Sequence, residues 1–432
     1  MFSVEMSSFN LDKFLFTLLD HSKMAYEYCC GPQNRFWLGI PLCWILTVIE
    51  RVLSIFRNPA TFSTPPKNIM FIELSEMGSA IMAYSALQKT RELFPEATLF
   101  FLIFEDNKES VYVTNVIPKE HVFTLRTKRL LEFLCDTISV LSKMRRCRID
   151  TAIDLELFSR ATGLLSYLSG AKRRVGFHKF RMEGLSRGDL LTHKVQYNPY
   201  QHIALNFLNL VYALNAPVTE APKLKQHLTD PLKAPRVASS ETEKAQMFAK
   251  LQHIQPKLTS SDMLIVLNPS AGLLPIRAWP LDNYVELAQR LTQHESVYIV
   301  VMGVNEASKD AAAIAAAIGD RCIDLTNHTT LRELIDLFNL ATVLVTNDSG
   351  PAHFAALTPI KNFVFFGPET PDLYAPLGTQ TFPIFAHYSC SPCLNAFNHR
   401  NTPCTDPQCL KHISVEEVYA KIRKHLSFPS SG

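Results

Sequence analysis

The residues best suited to chemistry stand together at Asp348-Ser349-Gly350-Pro351-Ala352-His353. Asp348 or Ser349 can cap a helix, and Pro351 suits its first turn. A helix start leaves backbone N–H groups unbonded and carries partial positive charge, so it receives anions. Ser349 adds a hydroxyl, Gly350 lets backbone approach a ligand closely, and His353 lies one turn in. The chemistry implied is the holding of phosphate groups, most simply a diphosphate. The turn Asn268-Pro269-Ser270-Ala271-Gly272 can present further backbone amides to phosphate. An ordinary capped strand-to-helix turn accounts for the cap and the proline alone. The acid, the Ser-Gly pair, the histidine and the later Phe366-Gly367-Pro368 set this stretch apart.

Those residues need elements to position them. Residues 342–346 are an apolar, β-branched run, as in a buried parallel strand. Residues 347–350 turn the chain, Pro359 stops the helix, and 362–366 form a second buried strand. The same alternation runs through the chain. Strands are expected at 69–74, 97–103, 121–125, 151–155 and 174–177, with helices at 80–93, 129–144, 159–169 and 200–214. Strands at 263–267, 297–302 and 322–325 follow, with helices at 282–293 and 330–340 and an alanine-rich helix ending near 318. Alternating strands and helices imply α/β architecture with parallel, doubly wound sheets. Such sheets bind ligands at the carboxyl ends of their strands, which groups Glu73, Glu76, Ser79, Asp154, Glu156 and Arg160 at one edge. No G-x-G-x-x-G loop is present, which disfavours dinucleotide binding.

The expected organisation has four parts. Residues 1–64 are a hydrophobic helical extension, and 65–215 are a first Rossmann-like domain. Residues 216–262 hold a Pro- and Lys-rich connection and a helix opened by the capping box Ser240-x-x-Glu243. Residues 263–432 are a second Rossmann-like domain with a cysteine-containing tail and a last helix at 414–426, expected to pack across the cleft. At 432 residues and 47% hydrophobic composition the chain can bury two cores. A net charge of +3 and the lack of a long basic run argue against nucleic acid. Ten cysteines in a chain this long do not make a disulfide scaffold, and no cleavable signal opens it, so a reducing, cytoplasmic setting is expected.

Within the extension, residues 9–28 carry apolar residues at helical spacing, and 36–49 are free of charge and contain Trp37 and Trp44. Glu50 and Arg51 interrupt the run before 52–56 continue it. A charge-free run of 14 is shorter than the roughly 20 residues of a span, so a helix lying in the membrane interface is as plausible as a spanning one. If it spans, Arg51, Arg57 and Lys67 place the body on the cytoplasmic side. A helical hairpin packed on the body is the plainer alternative. Residues 172–187 are basic, through Lys172, Arg173, Arg174, Lys179, Arg181 and Arg187, and read either as a solvated loop or as contacts to acceptor phosphates.

The segment Asp348-Ser349-Gly350-x-x-His353-x-Ala355-Ala356, continuing to Phe366-Gly367-Pro368-x-Thr370-Pro371, resembles the signature of glycosyltransferase family nine. That family contains the lipopolysaccharide heptosyltransferases of Gram-negative bacteria, and the resemblance runs from about Lys67 to the C-terminus. It implies two Rossmann-like domains facing across a cleft, the glycosyltransferase B fold. It implies that Asp348, Ser349, Gly350 and His353 bind the donor sugar and its diphosphate. Arg277, before Trp279-Pro280, takes the family's phosphate-contacting place, and its fork can grip two oxygens. Glu306 matches the acid that holds the nucleotide ribose, although a carboxylate at a helix start also occurs without a ligand.

The resemblance breaks at the base. The family's first loop runs Ser-x-x-Gly-Asp, with the Asp as general base; here it reads Ser75-Glu76-Met77-Gly78-Ser79. A serine hydroxyl does not take a proton at neutral pH without help. Glu76 is therefore the expected replacement, with Ser79 beside it, Ser75 and Gly78 as substrate-contacting loop residues, and Asp154 and Glu156 in reserve. The reading is an inverting, metal-independent glycosyltransferase, since no Asp-x-Asp motif is evident, acting without a cofactor. Its partners are a nucleotide-diphosphate sugar, with ADP-heptose as first guess, a lipid-linked saccharide acceptor and the cytoplasmic face of the bacterial inner membrane. The alternative is a membrane-attached nucleotide-sugar-binding protein that has lost turnover; a nucleotide-sugar epimerase is a third possibility. Cys390, Cys393, Cys404 and Cys409 read as free thiols or, with His399 and His412 competing, as a structural zinc site.

Overall fold

The computed structural model describes residues 39–56, 62, 64–178, 187–216, 227–272, 274–304, 307–398 and 400–426. Twelve strands form among them: β1 (Asn68–Ile72), β2 (Thr98–Phe104), β3 (Val122–Leu125), β4 (Thr151–Asp154), β5 (Arg173–His178) and β6 (His193–Gln196) in one sheet. The second sheet holds β7 (Met263–Asn268), β8 (Val297–Val301), β9 (Cys322–Asp324), β10 (Val343–Asn347), β11 (Lys361–Phe366) and β12 (Thr381–Phe385). All pairings are parallel. The orders are β3-β2-β1-β4-β5-β6 and β9-β8-β7-β10-β11-β12. Each sheet is thus doubly wound, and each has one switch point, at β1/β4 and at β7/β10. Connections leave the two strands of a switch point in opposite directions, which opens a crevice at their carboxyl ends.

Sequence makes these strands because their runs are apolar on both faces, as a sheet covered by helices on both sides requires. Under one face of the first sheet lie Phe71, Phe101, Phe177 and Phe207; Met70, Leu102, Phe123, Val140, Met144 and Leu165 lie under the other. In the second sheet Trp279 stacks on Phe365 with ring centroids 4.4 Å apart, and Tyr284 stands edge-on to Trp279 at 5.0 Å. Packing does not stop at the sheets. Ala352, Phe366, Leu373, Tyr374 and Ala396 join the first sheet's core, while Ile81 joins the second's. The connection also packs: Lys233 accepts from and donates to Ser85 Oγ at 3.1 and 2.8 Å, and Ser239 Oγ donates to Asp336 at 2.5 Å.

Several expectations change. Strands β6 and β12 were not foreseen. The helix expected at 80–93 is two, Met77–Met82 and Tyr84–Leu93, so Gly78 and Ser79 are helical residues and not loop residues. The last helix, Val415–His425, does not cross the cleft. Its buried Val418 and Ile422 join the second sheet's core, and Trp279 Nε1 donates to Ile413 O at 2.9 Å. Of the basic stretch, Lys172 is exposed, but the described arginines are neither solvated nor open to phosphates. Arg173 reaches the carbonyls of Phe62 and Thr64, Arg174 pairs with Glu50 and Arg187 pairs with Asp154, all buried. Removing one member of such a buried pair costs about 3–5 kcal/mol, because the other charge stays uncompensated. Lys179 and Arg181 lie outside the described residues, as do 9–28 and Trp37.

Residues 39–55 form a helix, Gly39–Ile55, that packs against the helix Arg160–Leu168. No helix among the described residues is long and apolar enough to cross a membrane.

Candidate functional site

The second sheet's switch point gathers the phosphate-holding residues. β7 ends in Asn268 and β10 in Asn347, with Thr346 opposite Asn268. Asn347 braces the two loops that follow: its Nδ2 donates to Pro269 O at 2.7 Å and its Oδ1 accepts from Trp279 N at 2.8 Å. Asn268 Nδ2 donates to Thr346 Oγ1 at 2.9 Å and to Ser349 Oγ at 3.3 Å. Ser349 occupies the cap position of the helix Gly350–Ala355, but its side chain does not cap the helix; its hydroxyl donates to Asn347 O at 3.1 Å. The side-chain cap expected of Asp348 or Ser349 is therefore absent: the Ser349 hydroxyl turns to Asn347 O, and Asp348 pairs with Arg277. Ser270 Oγ accepts from Gly272 N at 3.2 Å, and Gly272 has the left-handed φ of +60° that lets this turn close.

Arg277 sits in the short turn Pro275–Arg277 ahead of Trp279. Its Nη1 lies 3.2 Å from Asp348 Oδ2 and 3.2 Å from Glu369 Oε2. Glu369 fills the open position of Phe-Gly-Pro-x-Thr-Pro, and Arg400 Nε lies 3.1 Å from its Oε1. Two guanidinium groups and two carboxylates thus share a nearly dry pocket of side chains. Burial, and next the Asp348 charge, push Glu369 up to about 8, against the pull of Arg277. The stability that protonated Glu369 lends is complete below the ordinary carboxylate pKa and is lost as pH rises through about 8. Glu369→Gln keeps a neutral group at every pH. Its stability is therefore expected to gain on the parent's between mildly acidic pH and pH above 8, by an amount on the order of a few kcal/mol, with its melting temperature rising relative to the parent's. Melting curves of both proteins across pH check this, and parallel curves would refute it.

The first sheet's switch point supplies the facing wall. Glu156 Oε1 accepts from Leu74 N at 3.0 Å, Ser75 N at 3.1 Å and Ser75 Oγ at 3.0 Å. Asn107 Nδ2 donates to the carbonyls of Leu74 and Ser75 at 3.2 and 3.1 Å, so the loop after β1 is held from both sides. Glu76 stands at the cap of Met77–Met82, and Ser79 Oγ donates to its Oε2 at 2.8 Å. Arg400 Nη1 also bonds Glu76 Oε1, and Nη2 reaches Oε2 at 3.3 Å. Arg400 therefore ties the first unit's Glu76 to the second unit's Glu369. Phe397, three residues earlier, packs on Phe158 and Tyr197 with centroids 5.5 and 5.7 Å away. This loop therefore joins the other contacts that cross between the halves, a role expected of the last helix.

Gly78 and His353 meet. A Cβ on Gly78 would stand 2.5 Å from His353 Cδ2, so only glycine lets the helices Met77–Met82 and Gly350–Ala355 approach this closely. Burial holds the His353 imidazole down to about 4, so it is neutral at neutral pH. Among the described residues, His353 Nδ1 and Arg277 Nε are both buried without a hydrogen-bond partner. Buried polar atoms are normally bonded, and two orphans around one crevice suit a site completed by a ligand.

The structure therefore brings together Arg277, Asp348, Ser349, Asn268 and Ser270 on one wall, and Glu76, Ser79 and Gly78 on the other. Ser75 spends its hydroxyl on Glu156, and Gly78 faces His353. Both reserve carboxylates carry structural bonds. Asp154 is fully buried, accepts from Thr162 Oγ1 at 3.0 Å and pairs with Arg187; burial pushes it up to about 6. Burial, and next Glu156, push Glu73 well above the usual carboxylate range. Glu306 lies outside the described residues. The side-chain roles of Asn268, Asn347, Glu369 and Arg400 were missed; the first three stood inside stretches already singled out, and Arg400 did not. Among the described residues no group of three or more His, Cys, Asp or Glu is arranged to hold a metal ion; His399 lies outside them. Burial, and next the neighbouring Cys393, Cys390 and Cys404, push the Cys409 thiol up to about 11.

Comparison with known proteins agrees with this architecture. The heptosyltransferase 2 of lipopolysaccharide synthesis in Salmonella typhimurium is 32% identical over 154 residues, covering 35% of this chain and 42% of that protein. The lipooligosaccharide heptosyltransferase 2 of Haemophilus ducreyi is 25% identical over 330 residues, 72% of this chain and 86% of that protein. The chain spans about half the length of the curated relatives it matches first. Among solved structures, the Escherichia coli ADP-heptose lipopolysaccharide heptosyltransferase II superposes with a TM-score of 0.64 at 21% identity, covering 83% of this chain and 98% of that one. The family 9 glycosyltransferase of Veillonella parvula superposes at 0.63 with 18% identity, covering 83% and 96%. These likenesses establish the fold. Residues 137–402 match the family model described as glycosyltransferase family 9 (heptosyltransferase), and the chain belongs to that family.

Proposed function

We propose that the protein is an inverting glycosyltransferase that moves a heptose from ADP-heptose to a saccharide of the lipopolysaccharide core. One observation carries the reading: Arg277 stands at the second switch point, on Asp348, with a buried Nε that has no partner among the described residues. The relatives are heptosyltransferases by name, and one neighbour is named for ADP-heptose.

The arrangement suits a single displacement. The donor's diphosphate takes Arg277 from the carboxylates of Asp348 and Glu369. The N–H groups after Ser349 and the Ser270 turn complete its hydrogen bonds. An acceptor hydroxyl enters from the side of Glu76 and attacks the anomeric carbon as the bond to the diphosphate oxygen breaks. Glu76 receives the hydroxyl proton, and Arg277 stabilises the charge that collects on the leaving diphosphate. Attack opposite the leaving group inverts the anomeric centre. Ser79, one turn from Glu76, fixes that carboxylate through its 2.8 Å hydrogen bond. Glu306 is proposed to hold the ribose.

A second reading rests on Arg400. Its pairing with Glu76 occupies the proposed base, which suits a protein that binds the nucleotide sugar and does not turn it over. Thermal stabilisation by ADP-, UDP- and GDP-sugars, followed by a transfer assay, separates the two. ADP-heptose is expected to raise the melting temperature most, by about 2.7 kcal/mol of stability at a hundredfold excess over Kd. Stabilisation with no transfer favours the second reading; no stabilisation by any nucleotide sugar overturns both.

A further inference from the structure

The helix Gly39–Ile55 is mounted the wrong way round for a soluble surface. An amphipathic helix normally buries its apolar stripe and exposes its polar one. Here the residues buried against the body are Cys43, Thr47 and Glu50, one stripe at helical spacing. Glu50 is 7% exposed and pairs with Arg174. Thr47 Oγ1 accepts from Asp189 N at 2.8 Å. A Cβ on Gly188 would stand 2.6 Å from that hydroxyl and 2.8 Å from Cys43 O, so the seat is fitted to the helix's polar side. The opposite side carries Leu42, Trp44, Ile45, Val48, Ile49, Val52, Leu53 and Ile55, all exposed, with Trp44 at 67% and the following Phe56 at 82%. Exposed apolar surface this continuous marks an interaction site.

A second helix on the same side of the first sheet repeats the pattern. Leu130–Arg146 buries Val140 and Met144 over the sheet face that also carries Leu165 of Arg160–Leu168, the neighbour of Gly39–Ile55. It exposes Leu131, Leu134 and Ile138 at helical spacing, and exposed Lys143, Arg145 and Arg146 follow. Its acids are already matched: Asp136 pairs with Arg126, and Glu132 lies within 4.0 Å of Arg126 and 3.9 Å of Arg129. Glu50, the acid of the first helix, is spent on Arg174, which leaves exposed Arg51 beside the apolar side. The whole face is therefore apolar with a cationic rim. Its proper complement is an apolar layer with an anionic edge. A second copy of this chain would set the same cations against one another, whereas an anionic bilayer neutralises them.

We propose that Gly39–Ile55 and the outer stripe of Leu130–Arg146 dock the chain on an anionic lipid bilayer, with the first helix lying flat and its apolar side in the lipid. Trp44 then sits at headgroup level, where amphipathic rings are favoured. The docking rests on the proposed function only in that a lipid-linked acceptor is held at such a surface.

The test uses the full chain, without donor or acceptor, and vesicles of phosphatidylethanolamine with phosphatidylglycerol against phosphatidylcholine alone. The parent is expected to sediment with the anionic vesicles, less so at high salt. The combined variant Trp44→Ser, Val48→Thr, Val52→Thr and Phe56→Ser is expected to lose about tenfold or more of that partition, since each lost apolar group weakens insertion. Arg145→Glu with Arg146→Glu is expected to lose the preference for anionic lipid. Both variants are to keep the parent's circular dichroism and its thermal shift with nucleotide sugar. Full sedimentation of the folded four-residue variant overturns the proposal, as does a dimeric parent that this variant turns monomeric. Because no sugar transfer is measured, a chain that proves inactive still reports on docking, and a chain that fails to dock still reports on transfer.

Discussion

Arg277→Gln is expected to lower kcat/KM for sugar transfer by roughly 10²- to 10³-fold, about 3–4 kcal/mol of lost transition-state stabilisation. The guanidinium is buried, lies against Asp348 and Glu369, and among the described residues has no partner at Nε. A leaving diphosphate gains charge as the sugar departs, so a fixed cation there acts more on the transition state than on the bound donor. Glutamine also strands the buried Asp348 carboxylate, and folding stability is expected to fall. Arg277→Lys separates the two effects. Lysine keeps the charge that satisfies the carboxylates but lacks the planar fork, so it is expected to stay near parental stability with an intermediate loss of turnover. Melting temperature and steady-state kinetics on the three proteins decide the matter. Parental turnover in both folded variants would remove the clamp from the mechanism.

Glu76→Gln carries the second large effect, a loss of about 10²- to 10⁴-fold in kcat with little change in donor affinity. Its carboxylate stands where Ser79 points, 2.8 Å from that hydroxyl, at the position left without the family's aspartate. Glutamine keeps the shape and the hydrogen bond from Ser79 but cannot take a proton. Donor binding followed by thermal shift and single-turnover transfer measures each part separately. Near-normal transfer by the intact variant would eliminate Glu76 as the base.

Much of the fold was legible because a strand buried on both faces writes itself as a continuous apolar run. The strands missed are the ones that do not. β6, at a sheet edge, reads His193-Lys194-Val195-Gln196 and exposes Gln196. β12 contains Pro383, which a central strand does not tolerate and an edge strand does. The phosphate-side residues were legible for a different reason. In a doubly wound sheet the polar turn after an apolar strand falls at the carboxyl edge, so Asn268-Pro269-Ser270 and Asp348-Ser349-Gly350 had to face each other at a switch point. Arg400 was not legible: it meets Glu76 across 324 positions of sequence, and nothing local distinguishes it from any arginine in a loop. Nor does periodicity say which side of a helix meets the body. Residues 39–55 show a clear apolar stripe, and the buried stripe is the other one, selected by Arg174 and Gly188 far along the chain.

The hold of Arg400 on both halves has a consequence for tempo. In the proposed reaction, parting the halves to release spent nucleotide would pull one guanidinium off Glu76 or off Glu369, besides separating the apolar contacts the two cores share. An ionic latch of this kind would slow the escape of product, so dissolved ions are expected to quicken the cycle until they also weaken the grip on the incoming substrate.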